Sequence, residues 1–200
     1  MIAFPSISSF ASARPEAPAP RCELCTAPLG DRHRHVVEIG RRGVLCACGA
    51  CALLFASGDR TVRYRTIPER VKRDPAFALT AHDWARLGIP VGIAFCFRDS
   101  PSARHVVCYP GPAGIVDGEL DADVWSAIVA ATPLAATLAD DVEALLIRGG
   151  REIACYLVPI STAYELAGRL RATWRGFSGG DEAERELAAF FAELDRGGRK

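Results

Sequence analysis

The sequence predicts an α+β fold in two parts: a small cysteine-rich module, then an antiparallel sheet covered by helices. Three observations predict it. Five of the eight cysteines fall within the thirty residues from Cys22 to Cys51. Paired apolar runs separated by short turn signals follow, which is the pattern of hairpins. Amphipathic stretches with capping signals lie among those pairs. The larger part reads β-β-α-β-β-α-α, and the helices are expected on one face of its sheet.

The chain divides at composition changes. Residues 1–20, "MIAFPSISSFASARPEAPAP", are rich in Ser, Ala and Pro and read as a disordered lead. They have neither the basic start nor the long apolar run of a secretory signal, and Arg14 is their only base, so they match a transit peptide poorly. Residues 21–68 form the cysteine-rich, metal-binding module, and residues 69–200 the α+β domain. No stretch approaches the ~20 apolar residues of a membrane span. The expectation is a soluble, cytoplasmic protein. Formal net charge is zero, which argues against a general coat for nucleic acid or membrane. The charge is uneven, however. Residues 1–74 carry 12 Lys+Arg against 7 Asp+Glu, a net +5, and residues 75–200 carry 12 against 17, a net −5. Such halves suit mutual attraction or a basic face for a partner.

Within the module, "RHVVEI" and "GVLCAC" are two strands joined by the turn "GRRG". "ACALLFASG" is a short helix with a Gly58 stop. "TVRYRTIP" alternates, setting Val62 and Tyr64 on one face and Arg63 and Arg65 on the other, the basic side half-exposed. A linker, "ERVKRDPAF", leads to Thr80, an N-cap for "AHDWARLG". "VGIAFCF" and "ARHVVCY" are strands around the turn "RDSPS", and "YPGPAG" ends that hairpin. "DADVWSAIVAAT" is an amphipathic helix. "DVEALLI" and "EIACYLVPI" make a second hairpin around "RGGR". "STAYELAGRLRATW" starts with a Ser/Thr cap and has Glu165 near its first turn. "GFSGG" breaks the chain, and Asp181 with Glu184 opens the last helix, "EAERELAAFFAELDR".

Without a signal peptide, paired C-x-x-C motifs point to metal rather than to disulfides. Zinc takes four ligands at tetrahedral corners, and a C-x-x-C turn aims two sulfurs at one point. Cys22 with Cys25 and Cys48 with Cys51 form such pairs, 22 residues apart, and a hairpin fits between them. Knuckle, hairpin, then a helix whose first turn carries the last cysteine: this layout resembles a treble-clef zinc finger. Cys46 is the extra thiol. If the strand continues, it points to the same side as Cys48, so it is an alternative ligand, a neighbouring thiol or a small buried residue. His33 and His35 share a strand face and rank behind it as ligands. The alternative metal is iron, in a rubredoxin-type site or an iron–sulfur cluster. Four thiolates leave no open position, which points to a structural rather than a catalytic ion. Cys96, Cys108 and Cys155 lie in apolar runs and read as buried, inert thiols.

"RCELCTAPLGDRHRHVVE", "LCACGACALLF", "RYRTIP", "IPVGIAFCFRDS", "YPGPAG" and "WRGFSGG" together resemble an uncharacterised bacterial family of unknown function. The resemblance runs from about Arg21 to Leu194. The family is mainly actinobacterial and is often encoded beside high-affinity nickel–iron hydrogenases. It implies an accessory role with hydrogenase subunits or maturation factors as partners. It brings no catalytic residues, and its cysteine pattern matches Cys22, Cys25, Cys46, Cys48 and Cys51.

No nucleotide-binding loop, G-x-S-x-G elbow or H-E-x-x-H motif is present. Asp140, Asp141 and Glu143 read as a polar turn before a strand rather than as paired catalytic carboxylates. Trp84, Trp125 and Trp174 sit in helical patterns and read as packing residues, and Phe177 as a staple between helices. Arg32, Arg34, Arg41, Arg42, Arg60, Arg63 and Arg65 surround the module. They suit a protein-docking face better than a nucleic-acid footprint, since only Tyr64 interleaves with them. The expectation is a metal-binding accessory protein, with an iron electron carrier and a nucleic-acid-binding regulator as alternatives.

Overall fold

The computed structural model describes residues 19–56, 63–149, 153–176 and 179–197. The lead before residue 19, Gly58, Arg60, Val62, Phe177 and the second half of the "RGGR" turn lie outside them. Two antiparallel sheets carry the fold. The small one has the order β2-β1-β3, from β1 (Arg34–Glu38), β2 (Gly43–Ala47) and β3 (Tyr64–Thr66). Helix α1 (Gly49–Leu54) follows β2 directly.

The large sheet has six strands in the order β4-β9-β8-β5-β6-β7. Four are the expected hairpin strands: β5 (Ile93–Asp99) with β6 (Arg104–Gly111), and β8 (Glu143–Arg148) with β9 (Ala154–Pro159). Two edge strands join them. β4 (Lys72–Asp74) lies in the expected linker and pairs with β9. β7 (Gly114–Glu119) extends the β5–β6 hairpin, because "YPGPAG" turns the chain back instead of ending it. Gly111 pairs with Gly114 across that turn, and Gly114 has φ +131°, which glycine alone adopts without strain. Both edge strands are short or polar, so periodicity marks them poorly.

Helices cover both faces of this sheet, not one. Strands β5, β8 and β9 are continuous apolar runs, and such runs bury side chains on both sides. Phe95, Phe97, Leu146 and Val158 face α4 (Ile160–Thr173) and α5 (Gly180–Gly197), meeting Leu166, Leu170, Phe190 and Phe191. Cys96, Leu145, Ile147 and Leu157 face the other way, toward Val124 and Ile128 of α3 (Ala122–Ala131). The Trp84 ring of α2 (Ala81–Arg86) lies against Gly149, where any Cβ would come within 2.5 Å of it. Thr80 caps α2 as expected, its hydroxyl accepting from the Asp83 N–H.

The small sheet is not a separate body. Val37, Ile39 and Ile67 join the α4–α5 core, so one face of the small sheet is packed onto the larger part. Its other face carries a minor cluster of Cys22, Val36, Ala47 and Cys51. Opposite charges tie the halves together. Arg42 reaches Asp99 and Asp117, both at 3.0 Å, and Arg65 reaches Asp141 at 2.9 Å with both side chains buried.

Candidate metal centre

The first pair is shaped by a tight turn. The Cys22 N–H donates to the Ala27 carbonyl at 2.8 Å, and the Thr26 N–H to the Cys22 carbonyl at 2.7 Å, with Thr26 at φ 63°. Glu23 pins this turn to the free edge of β2. Its N–H donates to the Cys46 carbonyl at 2.9 Å, and its carboxylate accepts the Cys46 N–H at 2.5 Å. The second pair straddles the start of α1. Cys48 is the N-cap, and its sulfur accepts the Cys51 N–H at 3.4 Å.

These two turns bring Cys22, Cys25, Cys48 and Cys51 together, with all four sulfurs within 4.8 Å of one another. The Cys25 and Cys48 sulfurs are 3.7 Å apart, and all four thiols are unbridged. A disulfide needs about 2.05 Å. A tetrahedron with metal–sulfur bonds of ~2.3 Å has edges of ~3.8 Å. The cluster therefore has the dimensions of a four-thiolate metal site and can hold a metal such as zinc.

The electrostatics agree with that chemistry. The Cys48 N–H lowers Cys22 to about 6 despite its burial. Cys48 is lowered by the Cys51 N–H and by the Cys25 thiol. The Ala27 N–H favours the Cys25 thiolate, yet contacts with Cys22 and Cys48 carry Cys25 upward. Contacts with Cys25 and Cys48 push Cys51 to about 12. Ionisation of one thiol is thus gained at its neighbours' cost, because clustered negative charge is unfavourable without a cation. A divalent ion at the centre would remove that conflict and hold all four as thiolates.

Cys46 is not in this cluster. It lies with His33 and His35, whose donor atoms and its own sulfur fall within 4.8 Å of one another. The continuing strand that would align Cys46 with Cys48 ends at Ala47. Within β2, Cys46 is the cross-strand partner of His35, while Leu45 and Ala47 join the cluster of Val36 with Cys22, Cys48 and Cys51. Both backbone groups of Cys46 bond outward to Glu23, so Cys46 and His35 form a non-hydrogen-bonded pair, the kind with the closer side chains. Burial and the Glu23 carboxylate raise the Cys46 thiol, while burial and His33 lower His35.

With this geometry in place, the chain matches the Family of unknown function DUF5947 over residues 21–198. It is a DUF5947 protein. No curated protein and no solved structure matches it. Among the described residues of this DUF5947 chain, no helix is long and apolar enough to cross a membrane.

The other sequence candidates take structural places in the DUF5947 chain. Arg34, Arg41, Arg42, Arg63 and Arg65, five of the seven arginines around the module, pair with acidic side chains. Arg65 is turned inward, not half-exposed. Asp140 pairs with Arg98, and buried Glu143 with Arg70 at 2.6 Å. Cys96, Cys108 and Cys155 are buried, and burial raises the last two to about 12. Sequence reasoning passed over Leu53 and Leu54 on α1, which are 77% and 73% exposed. An apolar pair at the end of so short a helix has the same signature as a buried one.

Proposed function

We propose that Cys22, Cys25, Cys48 and Cys51 of this DUF5947 protein hold one structural zinc ion in a treble-clef-like module spanning residues 21–68. The protein then acts as a non-enzymatic accessory factor that docks on a protein partner. The 3.7 Å sulfur separation between the two C-x-x-C pairs carries this reading. The docking surface is the exposed Leu53–Leu54 pair, which sits on the helix the metal orders. The family resemblance in the cysteine motifs supplies the partner class: nickel–iron hydrogenase subunits or maturation factors, in the cytoplasm. The pairing of five module arginines with acids favours this over a nucleic-acid footprint.

One tightly held zinc per chain, surviving a mild chelator and lost in Cys22→Ser and Cys48→Ser, is the expected outcome of metal analysis. Iron suits the same tetrahedron, and a red or brown protein would replace zinc with an electron-transfer reading. Leu53→Ser with Leu54→Ser is expected to keep the zinc and the fold but to abolish recovery of hydrogenase or maturation proteins in a pulldown. Equal recovery by wild type and variant rejects the docking surface, and no recovery by wild type rejects the hydrogenase role.

A further inference from the structure

The cluster opposite the four thiols carries a separate chemistry. His33 Nδ1 lies 3.0 Å from the Gly30 carbonyl. A carbonyl only accepts, so Nδ1 carries a proton, and in the neutral ring Nε2 then presents the lone pair. That Nε2 is buried and has no hydrogen-bond partner among the described residues. A backbone carbonyl on one ring nitrogen and a free lone pair on the other is how metal-binding histidines are held. The His35 ring lies next to it, with centroids 4.8 Å apart, and Cys46 stands across the strand from His35. A tetrahedral ion bound by two imidazoles and a thiolate needs donor separations of ~3.5 Å, within reach of side-chain rotation from the observed spacing of at most 4.8 Å.

We propose that His33 Nε2, His35 and Cys46 form a second metal site, separate from the four-cysteine centre, for a borderline divalent ion of the zinc and cobalt class. Two nitrogens and one sulfur select such ions over magnesium or calcium. Three protein ligands leave one tetrahedral corner open, unlike the closed four-thiolate centre. His33 and His35 line a cleft of about 870 Å³ between the small sheet and the start of α4. Asp31, Glu69 and Glu165 line the same cleft together with Arg32, and Glu69 and Glu165 are paired with Arg34 and Arg169, so the rim is mixed in charge and the three donor atoms themselves set the preference for a cation. An ion whose fourth corner is left toward this cleft would exchange, whereas one enclosed by four thiolates would not. Glu23 links the sites mechanically, because it lies between Cys22 and Cys25 and fixes both backbone groups of Cys46.

The test uses the full-length protein with its first ion in place, titrated with Co²⁺ and separately with Zn²⁺ in excess Mg²⁺. A second equivalent should bind, with the Co²⁺ absorption of a tetrahedral site carrying a single thiolate. His33→Gln, His35→Gln and Cys46→Ser should each weaken that second equivalent at least tenfold and leave the first ion untouched. His105→Gln, remote in sequence and stacked on Trp125, should change neither. Saturation at one ion per chain in wild type overturns the proposal, as does a second equivalent that persists in all three ligand variants. The wild-type stoichiometry and the Co²⁺ spectrum decide the matter even where a variant misfolds. Failure of the four-thiolate reading would appear differently, as the loss of the tightly held ion itself.

Discussion

In strand β8, Ala144, Leu145, Leu146 and Ile147 are all fully buried, two on each face of the large sheet. Strand β1 of the small sheet also has two buried valines, but they are used differently. Val37 enters the large core, and Val36 faces a cluster whose other buried members are Ala47 and two cysteines. Fully burying a branched aliphatic side chain contributes about 1.5–3 kcal/mol. The large sheet gathers many such contributions, and the outer face of the small sheet gathers one. On the proposed reading the module draws its order from its metal, whereas the large sheet depends on packing.

That contrast breaks first at the metal. Stripping the ion with a strong chelator, or Cys22→Ser, should remove hydrogen-exchange protection across residues 20–56 while the amides of β5, β8 and β9 stay protected. Metal binding in isolated zinc modules is worth on the order of 10 kcal/mol, so this is the largest expected effect. Protection unchanged after metal loss would show that docking through Val37, Ile39 and Ile67 is enough by itself.

Phe95→Ala tests the other side. It empties space beneath α4, where Phe95 meets Tyr164 edge-on, and should cost about 3–5 kcal/mol in denaturant unfolding. The loss should be global, because the small sheet shares this core. Retention of the four-thiolate ion in the folded fraction is expected.

Arg65→Met probes the seam between the regions. It strands Asp141, which is left with the Ser100 N–H at 2.7 Å. Removing one partner of a buried pair costs about 3 kcal/mol. Two Arg65 donors, Nε and Nη2, lack partners among the described residues, so a smaller loss would mean that their burial already offsets much of the pair. Adding Asp141→Asn should recover part of the loss.

The smallest effect is at Asp99. Burial raises this carboxyl, but bonds from Ser102 and then Arg42 outweigh it and hold the group below its ordinary value. A carboxyl depressed in the folded state contributes stability above the unfolded value and loses it as pH falls through the folded one. Asp99→Asn should therefore lower stability slightly above about pH 4, where the ionised carboxylate contributes, and flatten the acid limb below it, so that the two curves converge at low pH. An unaltered acid limb would place the seam's pH sensitivity elsewhere.

Features set by near neighbours were legible in the sequence. The C-x-x-C turns, the Thr80 cap and the two apolar hairpins follow from residue types a few positions apart, and they stand where the spacing placed them. The edge strands β4 and β7 were not legible, since a strand of three residues and one of mostly exposed residues carry no periodic signal. Burial on both faces of the sheet was half-visible in runs such as "IAFCF", which do not alternate. The histidines and Cys46 were visible as ligand types but not as a group.

The sequence by itself determined that two sulfur pairs exist, that hairpins and the Thr80-capped helix follow, and that opposite charge is held in opposite halves. Only the tertiary structure decided that Cys46 turns away from Cys48 to meet His33 and His35, that Arg65 is drawn inward, and that both Arg42 and Arg65 act as ties. The reason is physical. Turn and cap chemistry is settled within a few residues, but the face a strand residue occupies depends on where the strand ends and on partners far along the chain.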